Sequence, residues 1–327
     1  MSAPMRFQDK RVFVTGAAGF IGAQLVRQLL KEGADIYALV SLKSELYRLK
    51  DISESITIVK ADLTDPNSIY TIVKKLKPQI IYHLASYGTQ PTHTDLGQMT
   101  NVNITGLTNL LTALEDIEFE CFVNTGSSAE YGPKNQPMKE NQLLEANTFY
   151  GATKAAASLL LQAFGKLHKR RAVTLRLFYV YGPGEELTRL IPTIIRTCLQ
   201  GSKLPLTSIH EKKDFIFIED VIQAYLNAAL IKGNETYILN VGTSIETNLG
   251  QLIKMIEKLT GKKINFVEGA YESRRWDSDC WAADIENTKK VLNWKPHYDL
   301  ETGLSKTIDW LRSKDTLSCP SLSSKTP

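Results

Sequence analysis

The chain has 327 residues, 43% hydrophobic and 23% charged, with a formal net charge of +4. That is enough for about two layered units with buried cores. Basic residues are dispersed apart from K-L-H-K-R-R at Lys166–Arg171, which reads as a solvated helix end. No basic patch interleaved with aromatics points to nucleic acid. The cysteines Cys121, Cys198, Cys280 and Cys319 form no C-x-x-C pair, so neither a zinc site nor a disulfide frame is indicated, and Cys121 and Cys198 read as small buried apolar residues. No histidine and carboxylate cluster has metal-ligand spacing. No signal peptide and no membrane-spanning apolar run is read, so the expected setting is cytoplasmic.

The first element is a β-rich run at Val12–Thr15, followed by glycines at Gly16, Gly19 and Gly22. A helical pattern over Gly22–Glu32 follows. Strand, glycine turn and helix together form the setting in which backbone N–H groups and a helix N-terminus hold a dinucleotide pyrophosphate. A second strand is predicted at Ile36–Val40. Sites for NAD often carry a carboxylate about 20 residues past the glycines, on the ribose 2′-hydroxyl. Here Val40 and Ser41 stand in that place, with Lys43 just beyond. The absent carboxylate favours NADP, with NAD as the alternative. Lys43 either attracts a 2′-phosphate or is a solvated loop lysine.

Further strands are predicted at Ile56–Lys60, Ile80–Leu84, Cys121–Thr125 and Val173–Phe178, and helices at Ser68–Leu76, Asn103–Leu114 and Tyr150–Leu167. Such alternation predicts an α/β fold with a doubly wound, Rossmann-type parallel sheet, whose ligands lie beyond the strands' carboxyl ends. The glycine turn, Leu84–Tyr87 and Thr125–Ser128 all fall at such ends. The later half predicts helices at Leu187–Gly201, Asn248–Leu259, Trp281–Leu292 and Leu300–Leu311. Short strands are expected at Phe215–Ile218 and Tyr237–Val241. The expected organisation is a dinucleotide-binding domain over 1–180 and a smaller α/β substrate domain over 181–312, with some chain crossover. The Ser-, Lys- and Pro-containing tail 313–327 is expected to be disordered.

Tyr150 and Lys154 are four apart in F-Y-G-A-T-K, and Ser127 lies upstream in G-S-S-A-E-Y-G. Hydride transfer at a carbon bearing oxygen requires proton transfer at that oxygen. A free phenol, with a pKa of about 10, is a poor base near neutral pH. An ammonium one helical turn away is expected to lower that pKa, and Ser127 can hold the substrate oxygen near the phenol.

On these motifs the chain resembles the extended short-chain dehydrogenases/reductases that act on nucleotide sugars as epimerases, dehydratases and 4-ketoreductases. The resemblance runs from about Lys10 to Leu311. It includes T-G-A-A-G-F-I-G, A-D-L-T-D at Ala61–Asp65, H-L-A-S at His83–Ser86, V-N-I-T-G at Val102–Gly106, Y-G-A-T-K, L-R-L-F-Y-V-Y-G-P-G at Leu175–Gly184 and L-N-W-K-P at Leu292–Pro296. It implies that Asp62 and Leu63 contact adenine, that Ala85 lies near the cofactor and that Asn103 supports the active-site helix. Cofactor contacts are accordingly expected from Gly16, Ala18, Gly19, Phe20, Ile21, Gly22, Ser41, Lys43, Asp62, Leu63, Leu84, Ala85, Ser86, Asn103 and Thr125, with Tyr150 and Lys154. A nucleoside-diphosphate sugar is the implied substrate, contacting Tyr87, Ser127, Ser128, Tyr179, Arg189, Arg274 and Arg275. Relatives of this kind usually dimerise through the helices at Asn103–Leu114 and Tyr150–Leu167, where Ala155–Ala157 and Leu159–Leu161 could supply a face.

The chain departs from the pattern in places. Related dehydratases place acidic residues just after the catalytic Ser or Thr, where this chain has Ser128 and Ala129. That argues against 4,6-dehydration, and Glu130, shifted by one place, is read as structural. The asparagine usual before V-Y-G-P is Tyr179, and the arginine usual before D-F is Lys213. The expected reaction is NADPH-dependent reduction of a nucleoside-diphosphate 4-keto-6-deoxyhexose, with Tyr150 as proton donor. The alternatives are a 4-epimerase with tightly bound NAD and a non-catalytic dinucleotide-binding sensor or scaffold. His93 is expected to be a solvent-exposed loop residue and His83 a packed, hydrogen-bonded one.

Overall fold

The computed structural model describes residues 5–90, 92–270 and 280–313. In chain order these form β1 (Arg11–Thr15), α1 (Phe20–Lys31), β2 (Asp35–Val40), β3 (Thr57–Lys60), α2 (Pro66–Leu76), β4 (Ile80–His83), α3 (Leu96–Thr100), α4 (Gly106–Leu114) and β5 (Cys121–Ser127). They continue through α5 (Phe149–Leu167), β6 (Ala172–Leu177), β7 (Tyr179–Tyr181), α6 (Leu190–Gln200), β8 (Lys203–Pro205), β9 (Lys212–Lys213), β10 (Phe215–Phe217) and α7 (Ile218–Ala229). The remainder are β11 (Thr236–Val241), β12 (Thr247–Asn248), α8 (Leu249–Thr260), β13 (Asn265–Val267), α9 (Glu286–Leu292) and α10 (Leu300–Ser313).

Seven parallel strands form the sheet, in the order β11-β6-β5-β4-β1-β2-β3. β4, β6 and the inner part of β1 are buried on both faces, as a sheet covered by helices on both sides requires. One face packs Val12, Val14, Leu25 and Leu29 with Val173, Leu175 and Tyr225. The other packs Phe13, Ile81, Phe122, Leu110 and Leu161. The predicted Rossmann-type architecture is thereby realised. Order reverses between β1 and β4, so a crevice opens at their carboxyl ends.

Several elements differ from expectation. Tyr237–Val241, expected in the substrate unit, belongs instead to β11, which pairs with β6 as the seventh strand of the main sheet. The predicted helix Trp281–Leu292 forms only from Glu286. Before it, Cys280 bridges to Lys134 and Ala283 to Met138, and Ala283 N–H donates to Asp214 Oδ2 at 3.0 Å. The backbone there is committed to tertiary partners and cannot close helical turns. The helix predicted from Leu187 starts at Leu190, because Arg189 is extended; Pro192 then sits in the first turn, where a missing N–H costs nothing. The helix expected from Asn103 begins at Leu96 and passes through a π turn at Asn101–Thr105. Ser313 closes α10 and is ordered; the rest of the expected tail, with Cys319, lies outside the described residues. Cys121 and Cys198 are buried, as expected. No helix among the described residues is long and apolar enough to cross a membrane.

Candidate functional site

The crevice at the strand ends holds a cavity of about 950 Å³. Its floor is the turn between β1 and α1. Gly16 has φ +68°, and a Cβ there would lie 2.6 Å from Ala85 N. A Cβ on Gly22 would sit 2.2 Å from Gly16 O. Side chains at either position would therefore collide with fixed backbone. Gly19 is the N-cap of α1 and supplies no side-chain cap, so the first-turn N–H groups stay free for an anion.

The segment after β4 forms one wall. Thr15 Oγ1 accepts from Ala85 N–H at 3.3 Å and lies 2.8 Å from His83 Nδ1. His83 is 2% exposed, and burial with the nearby Lys154 charge holds its pKa down to about 3. It is the packed, hydrogen-bonded histidine expected. Asn103, also 2% exposed, accepts from Tyr87 N–H at 2.8 Å and donates to Tyr87 O at 2.8 Å and Thr153 Oγ1 at 3.0 Å. It ties this wall to α5 and does not line the cavity itself. Ala18 is likewise packed into the core rather than the cavity. His93 is not a free loop residue: its ring stacks on Tyr87 at 3.9 Å, and its Nδ1 accepts from Gly88 N–H at 3.1 Å.

The chemistry-bearing trio converges on the same cavity, lined by Ser127 from β5 and by Tyr150 and Lys154 from α5. Thr148 starts α5 by accepting from Gly151 N–H at 3.0 Å. This sets Tyr150 in the first turn and Lys154 one turn later on the same face. Lys154 is 2% exposed and makes no hydrogen bond or ion pair with the described residues. Burial lowers its pKa to about 8 against a partial opposing pull from Glu130. The Tyr150 phenol is pushed up by its enclosure, while hydroxyls of Ser127 and Ser86 and the Arg189 charge favour its ionised form. Ser86 Oγ, though close, forms no well-aligned hydrogen bond. The expected lowering by Lys154 is therefore not what the geometry gives: desolvation outweighs the pull of these hydroxyls and of Arg189, and the phenol stays protonated near neutral pH.

Glu130 is fully buried and turned away from the cavity. It accepts from Ser127 N–H at 2.8 Å, Ser158 Oγ at 3.0 Å and Arg176 Nε at 2.7 Å, in keeping with its structural reading. Ser128 Oγ accepts from Trp281 Nε1 at 3.1 Å. Arg189 lies over the Tyr179 ring and donates to Thr89 O at 2.9 Å.

Every other expected site residue that is described lines the cavity: Gly16, Gly19, Phe20, Ile21, Gly22, Ser41, Lys43, Asp62, Leu63, Leu84, Ala85, Ser86, Tyr87, Thr125, Ser128, Tyr179 and Arg189. Arg274 and Arg275 lie outside the described residues. Residues not anticipated include Ser44, Gln90, Gln98, Glu185 and Glu186. Gln90 follows a strand end that pointed to the crevice; nothing local marked Glu185 and Glu186. Among the described residues no histidine, cysteine and carboxylate group could hold a metal. The glycine floor, the uncapped helix start and the unpartnered Lys154 fit a dinucleotide.

Residues 12–242 match the family model described as NAD dependent epimerase/dehydratase family. The chain therefore belongs to that family, and it is an enzyme of the extended short-chain dehydrogenase/reductase type. It is 28% identical over 329 residues to a UDP-glucose 4-epimerase of Lactobacillus helveticus, covering 93% of this chain and 97% of that one. It is 29% identical over 327 residues to a trifunctional protein of Arabidopsis thaliana, a UDP-glucose 4,6-dehydratase, UDP-4-keto-6-deoxy-D-glucose 3,5-epimerase and UDP-4-keto-L-rhamnose-reductase, covering 93% of this chain and 47% of that one. The solved structure of MoeE5 in complex with UDP-glucose and NAD superposes with a TM-score of 0.82 at 28% identity, covering 92% and 98% of the two chains.

Proposed function

We propose that this enzyme reduces the C4 keto group of a nucleoside-diphosphate 4-keto-6-deoxyhexose with NADPH. The observation that carries the reading is the joint placement of Ser127, Tyr150 and Lys154 in one cavity whose far end, at Ser41–Ser44, has lysine and hydroxyls but no carboxylate from β2. A bound nicotinamide supplies the hydride. Ser127 holds the ketone oxygen, and Tyr150, kept protonated by its enclosure, donates the proton as that oxygen gains charge. Lys154 anchors the cofactor's ribose hydroxyls, and Arg189 stabilises the phenolate left behind. Tyr87, Ser128, Tyr179 and Arg189 surround the sugar and diphosphate.

Dehydration at C5 and C6 lacks its acid and base, since Ser128 is engaged by Trp281 and Ala129 has no group that can give or take a proton. A second reading, 4-epimerisation on retained NAD, is favoured by the likeness to the Lactobacillus helveticus 4-epimerase and to the NAD complex of MoeE5. Denaturing the purified protein and identifying released molecules by mass spectrometry separates the two. Stoichiometric NAD overturns the reductase in favour of the epimerase. NADP(H), or an empty protein preferring NADPH to NADH, supports the reductase, and a released nucleotide sugar names the base.

A homodimer through α5 belongs to the same proposal. Leu159 is 53% and Leu160 39% exposed there, whereas Leu161 faces the core. Leu159→Glu with Leu160→Glu should convert a dimer to a monomer in light scattering. A wild-type monomer refutes the proposed interface.

A further inference from the structure

Two segments that both line the cavity come from distant parts of the chain. The first follows β2 and contributes Ser41, Leu42, Lys43 and Ser44; the second joins β7 to α6 and contributes Glu185, Glu186 and Arg189. Arg48 ties them together. Its Nε donates to Gly184 O at 3.0 Å and its Nη2 to Glu186 Oε1 at 2.7 Å, with the side chain only 10% exposed.

Both ends of this tie are anchored on α1, the helix that starts at the glycine turn. Arg27 donates to Arg48 O at 2.5 Å and forks onto Asp51, with both contacts at 2.6 Å. Gln24 Nε2 donates to Pro183 O at 2.9 Å. The Arg48 side chain is not part of the cavity wall. Its effect is therefore on how the two lining segments stay together.

We propose that Arg48 and Glu186 form a strap that retains the bound dinucleotide, and that its opening governs dinucleotide escape. The proposal rests on the reading of this cavity as a dinucleotide site. A partly exposed ion pair adds little to global stability. It can still hold two loops together locally, and such loops supply the low-energy openings through which ligands leave. In a net reduction, opening of the strap would set the turnover rate; in an epimerase it would keep the cofactor in place between turnovers. Because the tie is ionic, it weakens with salt.

The test is a dissociation rate. Wild-type protein loaded with NADPH or NADH is mixed with excess oxidised dinucleotide, and the decay of nicotinamide fluorescence is followed. Arg48→Ala should speed escape roughly tenfold, the combined worth of one ion pair and one hydrogen bond. Glu186→Gln, which leaves the Gly184 contact in place, should give a smaller increase, and added salt should speed the wild type more than either variant. Equal dissociation rates in wild type and both variants, with dinucleotide still bound, overturn the strap alone. A wild type that binds neither dinucleotide overturns the site reading and the strap with it. Folding of Arg48→Ala is checked by its melting temperature, and where that variant is unstable Glu186→Gln tests the strap by itself.

Discussion

Lys154→Met should stabilise the cofactor-free protein while removing its activity. Burial brings the Lys154 ammonium to about 8 from the ordinary 10.5. At about 1.4 kcal/mol per pH unit, the charged side chain costs the folded state about 3 kcal/mol at pH 7. Methionine keeps the stem and drops the charge, so most of that cost should return as stability. The sign follows from proton counting. Between about 8 and 10.5 the unfolded chain holds a proton that the folded chain has shed, so wild-type stability rises with pH across that window. At about pH 9.5 the remaining cost is about 1 kcal/mol.

Urea unfolding of cofactor-free protein, followed by tryptophan fluorescence, measures both values. The variant should exceed the wild type by about 2–3 kcal/mol at about pH 7 and by about 1 kcal/mol at about pH 9.5. Added dinucleotide should stabilise the wild type more than the variant, because only lysine has donors for the ribose. A variant no more stable than the wild type at neutral pH would refute the reasoning, as would a gap that does not narrow with pH. Either result would mean that water reaches the ammonium and that its low pKa is not a burial cost.

Tyr150→Phe should lower turnover by about 10²–10⁴-fold with an unchanged melting temperature, since it removes one proton donor and little packing. Unchanged cellular function in that variant would favour a binding role over catalysis. Lys43→Glu should lower kcat/KM for NADPH by about tenfold or more and leave NADH within about threefold; equal losses for both would return Lys43 to an ordinary loop lysine. Glu130→Gln leaves the 2%-exposed side chain of Arg176 without its anion and should cost about 3–5 kcal/mol in urea unfolding. A loss below about 1 kcal/mol would show that this pair is not buried in solution.

The parts of the molecule legible in the sequence are those fixed by short-range constraints. The Gly16 turn is marked because its backbone needs positive φ and close approach to Ala85. Tyr150 and Lys154 are marked because helical spacing alone puts them on one face. The buried strands announce themselves as continuous apolar runs bounded by turn residues. What stays hidden depends on partners far along the chain. Tyr237–Val241 reads as a strand, but nothing within it says which sheet it joins. Trp281–Leu292 reads as one helix, but its first residues are claimed by Glu246, Met138 and Asp214. Arg48 and Glu186 meet across 138 positions. Asn103 supports α5 as the resemblance implies, but which atoms it touches depends on where the chain after β4 comes to rest. The phenol's titration escapes a sequence reading because a charge one turn away is easy to count, whereas desolvation depends on everything around it.

The one-place shift of the carboxylate after Ser127 gains a physical meaning from this geometry. Ser128, unlike Glu130, lines the cavity, so a carboxylate at Ser128 would face it. At Glu130 it instead closes the turn beneath the site: one oxygen receives the N–H of Ser127, which helps form the cavity wall, and the hydroxyl of Ser158 from α5. The same side chain thus holds β5 against the helix that carries Tyr150 and Lys154. Its charge, balanced by Arg176, also raises the pKa of Lys154 against burial. Removing the charge with Glu130→Gln should therefore push the Lys154 pKa further down. The high-pH limit of any step that needs the ammonium should fall with it. The chain has placed this acid where it sets geometry and potential for the Ser-Tyr-Lys set.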